Sequence, residues 1–194
     1  MNDTPAITLE QLRSQLTDDQ RAILNAIWEH YEKETGDKRW IRTRLLHHRF
    51  GATGSTIVPT ALKQLGGSYA YEQGYGADKL YQLTLLGVLL TDQGREAAEL
   101  LARYLEHVQE RFSSDPNVQQ VKDAEVETAL GLTKEKSRFL RHILSLSRFY
   151  AGGGFGETWY ALVPDDVDEL PSVQDFRAYV QARALERLDP NLPF

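Results

Sequence analysis

The chain has 194 residues and a formal net charge of −6, with 41% hydrophobic and 26% charged residues, a balance that suits one soluble domain or two small ones. It has no cysteine, which excludes disulfides, thiolate metal sites and cysteine catalysis. No run approaches the roughly 18 apolar residues that span a bilayer, and Met1-Asn2-Asp3-Thr4-Pro5 lacks the basic and apolar regions of a secretory signal, so a cytoplasmic location is expected.

Residues 1–16 are expected to form an N-terminal arm or short capping helix. Thr17, with Gln20 three residues on, makes a capping box. A helix to about Glu34 follows from the spacing of Ala22, Ile23, Ala26, Ile27 and Tyr31, with Leu24 and Trp28 widening the stripe. Gly36-Asp37 stops it. A second helix is predicted from Ile41 to Phe50, with Ile41, Leu45, Leu46 and Phe50 inward. Gly51-Ala52-Thr53-Gly54 makes a turn, and Ser55 or Thr56 caps a third helix that tolerates Pro59 near its start. Ile57, Ala61, Leu62 and Leu65 are its candidate buried residues, and Gly66-Gly67 ends it. Tyr69-Ala70-Tyr71 and Leu80-Tyr81-Gln82-Leu83 then read as a hairpin around Gly74-Tyr75-Gly76.

Thr84 can cap a short helix, and Thr91-Asp92 another that runs to about Phe112. Ala97, Leu101, Tyr104, Leu105, Val108 and Phe112 give that helix a single apolar stripe, suited to packing within its own domain, bridging two domains or pairing with a second subunit. Ser113-Ser114-Asp115-Pro116-Asn117 is linker-like. A helix over Asp123–Leu130 follows, closed by Gly131. Thr133 caps the next, with Phe139, Leu140, Ile143 and Leu144 on its apolar side. Arg148-Phe149-Tyr150, a glycine-rich loop and Thr158–Val163 suggest strand, loop, strand. A final helix is predicted over Val173–Leu188, with Phe176, Val180, Ala184 and Leu188 along one side. The halves share an order of elements without a residue-by-residue repeat. The fold class is therefore mainly α with small β-hairpins (α+β), with parts at 1–16, 17–93, 94–116 and 117–194.

Charge is sorted along the chain. Lys38 to Tyr71 contains no acidic residue but holds Lys38, Arg39, Arg42, Arg44, Arg49 and Lys63, with His47 and His48. A second basic segment holds Lys134, Lys136, Arg138, Arg141 and Arg148 against the single acid Glu135. Clustered cations on an acidic body are the footprint of a polyanion site. The structural alternative is a solvated helix face paired with Glu29, Glu32 or Glu34. The negative total argues against indiscriminate nucleic-acid binding but leaves room for a local site.

Helix, turn, helix and hairpin in this order resemble the winged helix-turn-helix superfamily. Tyr81-Gln82-Leu83-Thr84-Leu85-Leu86-Gly87 is similar to the Y-x-L-T-x-x-G run that follows the wing in many bacterial regulators. The resemblance covers about residues 17–112, and 121–188 less closely. It implies two winged-helix-like domains joined by the long amphipathic helix, with a third helix in the major groove and a wing on the backbone or minor groove. By position the first recognition helix is Ser55–Leu65, offering Thr53, Ser55, Thr56, Thr60 and Lys63 to phosphates or bases. Arg39, Arg42, Arg44 and Arg49 lie on and before the second helix. Lys134, Lys136, Arg138, Arg141 and Arg148 surround the corresponding helix of the second half, which by charge is the better DNA reader.

Other motifs carry less. His47 and His48 are adjacent on a helix and diverge, so no metal is expected. Gly152–Gly156 lacks the lysine and Ser/Thr of a phosphate loop and suits a wing tip. No Ser–His–Asp or paired-carboxylate arrangement follows from spacing, so neither an enzyme nor a cofactor is expected. Tyr75 and Phe155 at the hairpin tips, and Tyr104 and Val108 on the long helix, are the candidate partner contacts. Trp28, Trp40 and Trp159 read as core anchors. The first expectation is duplex DNA binding by a transcriptional regulator, dimeric through 96–112. The second is a protein-interaction winged-helix module, an adaptor or sensor subunit of a condensin-like or defence assembly. The third is a domain that takes a small effector between its two units.

Overall fold

Two capping boxes start the first two helices. The Thr8 hydroxyl accepts from the Gln11 N–H at 3.2 Å and Gln11 Oε1 accepts from the Thr8 N–H at 2.8 Å, opening α1 (Leu9–Gln15). Thr17 and Gln20 repeat the exchange at 3.2 and 2.8 Å and open α2 (Asp18–Lys33). This computed structural model describes residues 7–33, 40–75, 77–115, 121–146, 153–154, 157–160, 173–186 and 188, with side chains described for all but 32, 33, 123, 153–154 and 157–160.

After α2 the chain departs from the sequence expectation. Ile41 does not begin a helix. Ile41–Arg42 is a short strand, β1, and α3 is Thr43–Arg49. Ile41 lies opposite Tyr81 and Arg42 opposite Leu80 in an antiparallel pair. Starting two residues later turns α3 about its axis. Thr43 and Leu46 are buried, while Leu45, predicted inward, is 45% exposed.

A single 3-10 turn, Gly51–Thr53, leads to α4 (Gly54–Tyr69). Its first turn lies against α3: a Cβ on Gly54 would sit 2.2 Å from the His47 carbonyl oxygen. The expected Ser55 or Thr56 cap is replaced by this junction, with no side-chain cap at Thr53. Gly66, at φ 62, kinks the helix where the sequence predicts its end, and one further turn reaches Tyr69. Val58, Ala61, Leu62 and Leu65 are buried; Ile57, expected among them, is half-buried.

Strands β2 (Ala70–Gln73) and β3 (Leu80–Leu83) form the hairpin and complete a three-stranded antiparallel sheet in the order β1-β3-β2. Thr84 caps α5 (Leu85–Leu89), accepting from the Gly87 N–H at 3.0 Å. Thr91 and Asp92 do not cap the long helix α6 (Gly94–Ser114) with their side chains as expected. The Thr91 hydroxyl donates to the Val88 carbonyl, and Asp92 exchanges two hydrogen bonds with Asn25.

The chain divides into two compact units, one formed by residues through Gly94 together with those from Ala184 on, the other by Arg95–Arg183. From Arg95 on, α6 falls in the second unit. After it come β4 (Val121–Lys122), α7 (Asp123–Leu130), α8 (Lys134–Leu146), β5 (Gly153–Gly154) and β6 (Glu157–Tyr160). The strands pair antiparallel in the order β4-β6-β5. Helix, short strand, helix, helix and hairpin, with the first strand against the last, therefore occur twice: α2-β1-α3-α4-β2-β3 and α6-β4-α7-α8-β5-β6. Each run has a helix-turn-helix-like topology in a mainly helical chain.

Local signals placed the second set well. Gly131 closes α7 in the left-handed region, at φ 63 and ψ 40, and Thr133 accepts from the Lys136 N–H at 3.3 Å to open α8. The last helix, α9, is Phe176–Leu185, shorter than predicted because Asp175 caps it through the Arg177 and Ala178 N–H groups. In the first unit Leu12, Ile23, Leu24, Trp28, Leu46, Leu65, Leu83, Leu86 and Leu89 are fully buried. In the second, Tyr104, Leu105, Val126, Leu140, Ile143, Leu144 and Val180 are buried. Trp28 is the core anchor expected and donates to Gln93 at 3.0 Å, while Trp40 is half-buried. Trp159 belongs to β6, where only the backbone is described. Among the described residues no helix is long and apolar enough to cross a membrane.

Candidate nucleic-acid interface

The basic residues of the first unit meet carboxylates. Strand β1 sets Arg42 beside the loop that precedes β3. Arg42 Nη1 donates to Asp78 Oδ2 at 2.9 Å, and Arg44 Nε lies 3.9 Å from the same oxygen. The Arg42 hydrogen bond holds the Asp78 carboxyl below its usual range, with the Arg44 backbone N–H and both positive charges adding to the effect. The loop is tied down beside this pair, because the Thr43 N–H and hydroxyl both donate to the Lys79 carbonyl, at 2.8 and 3.0 Å. Lys79 Nζ is 2.5 Å from Glu72 Oε1, and the Tyr81 hydroxyl donates to Glu72 Oε2 at 2.8 Å. Arg49 faces the other way, toward α2, where it donates to the Ala26 carbonyl at 3.3 Å and pairs with Glu29.

Helix α4 presents a nearly neutral surface. Ser55, Thr56, Pro59, Thr60 and Lys63 are exposed, and their three- and four-residue spacing puts them on adjoining faces. The Thr60 hydroxyl donates to the Thr56 carbonyl at 2.9 Å, and Thr53 to the Phe50 carbonyl at 3.1 Å. Lys63 has no acidic partner among the described residues. Tyr75 is fully exposed at the hairpin tip. Of the tyrosines expected to pack across the strands, Tyr81 on β3 is buried, Tyr69 is buried at the end of α4, and Tyr71 on β2 is exposed. His48 is exposed and His47 half-buried. Among the described residues no three His, Cys, Asp or Glu are grouped to hold a metal.

Helix α8 differs. Lys134 and Arg138 are exposed, with no acidic partner among the described residues. They lie four residues apart on one face, and the half-buried Arg141 follows three later on the same stripe. Lys136 points elsewhere, pairing with Glu96 of α6 and covering the Phe139 ring at 5.4 Å. The helix is held from behind. The Ser137 hydroxyl donates to Glu127 of α7 at 2.5 Å, and Phe139, Leu140, Ile143 and Leu144 are buried. In turn α7 is fixed to α6, where Arg111 pairs with Glu125 and His107 Nε2 lies 3.8 Å from it.

The sequence-derived site residues therefore do not make one surface. Arg42 and Arg44 share one counter-ion, Arg49 is turned to α2, Lys136 is turned to α6, and Lys134 and Arg138 have no acidic partner among the described residues. Tyr104 and Val108 are in the interior, 0% and 1% exposed, which places them in the core instead of on a docking face; their neat helical spacing marks burial, not availability. Arg39, Arg148 and Phe155 lie outside the described residues. The sequence marks Glu72 and Asp78 as acids of the wing that disfavour phosphate contact, but does not show that Asp78 pairs with Arg42. Asp78 stands 36 positions from Arg42, and only the β1–β3 register brings the two together.

No family model, curated protein or solved structure matches this chain.

Proposed function

We propose that both units are winged helix-turn-helix units and that the chain is a transcription-regulator-type protein that binds duplex DNA through α8. The carrying observation is the open stripe of Lys134 and Arg138, continued by Arg141, on a helix braced by a buried face. Exposed cations on the third helix of such a unit, here Lys134 and Arg138 with no acidic partner among the described residues, suit phosphate contact, and an arginine's two parallel donors suit a guanine edge in the major groove. The first unit contributes little phosphate contact in this arrangement, because Arg42, Arg44 and Arg49 already have carboxylates. Tyr104 and Val108 of the α6 stripe are buried within the chain, which supports a packing role for that stripe.

The test is fluorescence anisotropy with mixed-sequence duplex DNA at two salt concentrations. Wild type should bind less tightly as salt rises. The Arg138→Glu/Arg141→Glu variant should lose binding while remaining folded by circular dichroism. Unchanged affinity in that variant would remove α8 as the DNA-binding element.

A second reading has an observation of its own. The near-neutral face of α4, the compensated arginines beside it and the fully exposed Tyr75 suit a protein surface better than a phosphate backbone. On this reading the first unit is an interaction module, and the chain is an adaptor or sensor subunit. A stoichiometric protein partner that co-purifies, and is lost in Tyr75→Ala, would favour it. Retention of that partner by Tyr75→Ala would count against Tyr75 as the contact.

A further inference from the structure

The hairpin loop of the first unit places Asp78 where an external anion would bind. We infer that Arg42 and Arg44 form an anion site for a DNA phosphodiester, and that Asp78 occupies it in cis as a built-in competitor. The inference rests on the reading of the chain as a duplex-DNA binder and adds how its first unit is kept off DNA.

The geometry is that of a bound anion. One Asp78 oxygen takes the 2.9 Å hydrogen bond from Arg42 and lies 3.9 Å from Arg44 Nε. Two guanidinium groups are donors that a phosphate oxygen also uses. The site is reachable, since the side chains of Arg42, Arg44 and Asp78 are 51%, 71% and 39% exposed. Asp78 is not needed to hold the loop, because Thr43 binds the Lys79 carbonyl through both its N–H and its hydroxyl. The neighbouring cation is treated likewise, with Lys79 covered by Glu72. The two acids of the hairpin thus each face cations of this edge, Asp78 facing Arg42 and Arg44 and Glu72 facing Lys79. An exposed ion pair is weakly held and competes with solution ions, so a duplex carrying many phosphates can displace it when another part of the chain brings the DNA near.

The experiment compares wild type, Asp78→Asn and Asp19→Asn by anisotropy with mixed-sequence duplex DNA, between roughly 50 and 200 mM salt. Asp19 is exposed on α2, so its variant makes the same charge change away from the site. Asp78→Asn should bind roughly three- to tenfold tighter at the lower salt, with a salt slope steeper by about one to two, the change expected for one or two added phosphate contacts. Asp19→Asn should match wild type. Adding Arg42→Ala and Arg44→Ala to Asp78→Asn should abolish the gain. Equal affinity and slope for Asp78→Asn and Asp19→Asn would overturn the inference, as would a gain that survives loss of both arginines. Asp78→Ser serves the same comparison if the asparagine variant melts below the assay temperature. The outcomes separate from those of the proposed function. If Arg138→Glu/Arg141→Glu leaves wild-type binding intact, α8 is not the DNA contact, yet Asp78→Asn against Asp19→Asn still decides the competitor. If wild type does not bind, binding gained by Asp78→Asn supports the site and its absence overturns it.

Discussion

Tyr81 and Glu72 face each other across the β2–β3 pair, and the Tyr81 hydroxyl donates to Glu72 Oε2 at 2.8 Å while Lys79 holds Oε1. Burial, then the hydrogen bond and charge of Glu72, push the Tyr81 hydroxyl from 10.0 up to about 12. Its folded value is raised, so the stabilisation it brings is complete below about pH 10 and is lost as pH rises toward 12. Tyr81→Phe should cost about 1 kcal/mol at neutral pH. The difference between wild type and variant should stay constant up to pH 10 and shrink above it. Urea unfolding at a series of alkaline pH values checks this, and a difference that does not change with pH would refute it. Glu72 runs in the opposite sense. Lys79 first, then Tyr81, hold it below its ordinary 4.5, so its contribution is present above that value and fades as pH falls through the lower, folded one.

Gly54 is fixed by what it touches. Its φ of −58 is open to any residue, but an added Cβ would lie 2.2 Å from the His47 carbonyl oxygen. Gly54→Ala should therefore separate α4 from α3 and cost about 1–3 kcal/mol, the range for overpacking. Gly67→Ala meets nothing within 4 Å and should change stability by no more than about 0.5 kcal/mol, as surface substitutions usually do. Thermal unfolding of the two variants gives the contrast, and equal melting temperatures would mean the α3–α4 approach tolerates an added methyl group.

Legibility in the sequence followed distance along the chain. The boxes at Thr17 and Gln20, the caps at Thr84 and Thr133 and the stop at Gly131 each act within four residues, and each stands where expected. Ile41–Arg42 does not look like a strand locally; two residues become one only by pairing with Leu80 and Tyr81. That pairing shifted the start of α3, turned Leu45 outward and set Asp78 against Arg42. The basic window from Lys38 to Tyr71 was real as composition, but its counter-ions came from either side of it in sequence, Glu29 before and Asp78 after. The α8 stripe was legible because Lys134, Arg138 and Arg141 are related by helical spacing alone.

Thr84 joins three elements through one hydroxyl. Its Oγ1 donates to the Ser68 carbonyl at 2.7 Å and accepts from the Gly87 N–H at 3.0 Å, in a residue 1% exposed. Thr84→Val keeps the shape but removes the hydroxyl that the α5 N–H of Gly87 donates to and that donates to the end of α4. The expected cost is about 1–3 kcal/mol. Thr84→Ser keeps the hydroxyl and loses one methyl, which should cost about 0.8 kcal/mol. Urea unfolding should rank wild type above serine and serine above valine. If valine is as stable as serine, the hydroxyl is not what holds the start of α5 to the end of α4.

Arg49 and Lys134 separate folding from binding. Arg49 links α3 to α2 through the Ala26 carbonyl and Glu29, so Arg49→Ala should lower stability by up to about 1 kcal/mol, as partly exposed ion pairs do, and leave DNA affinity unchanged. Lys134 opens α8 with no acidic partner among the described residues. Lys134→Ala should leave stability within about 0.5 kcal/mol of wild type. It should weaken DNA binding and lower the salt slope by about 0.9, the value for one phosphate contact. The two basic segments look alike in composition, so any model in which net charge alone draws the chain to DNA requires both variants to lose affinity equally. Anisotropy at two salt concentrations, read beside thermal unfolding, separates the cases, and an equal loss for Arg49→Ala and Lys134→Ala would defeat the assignment of binding to α8.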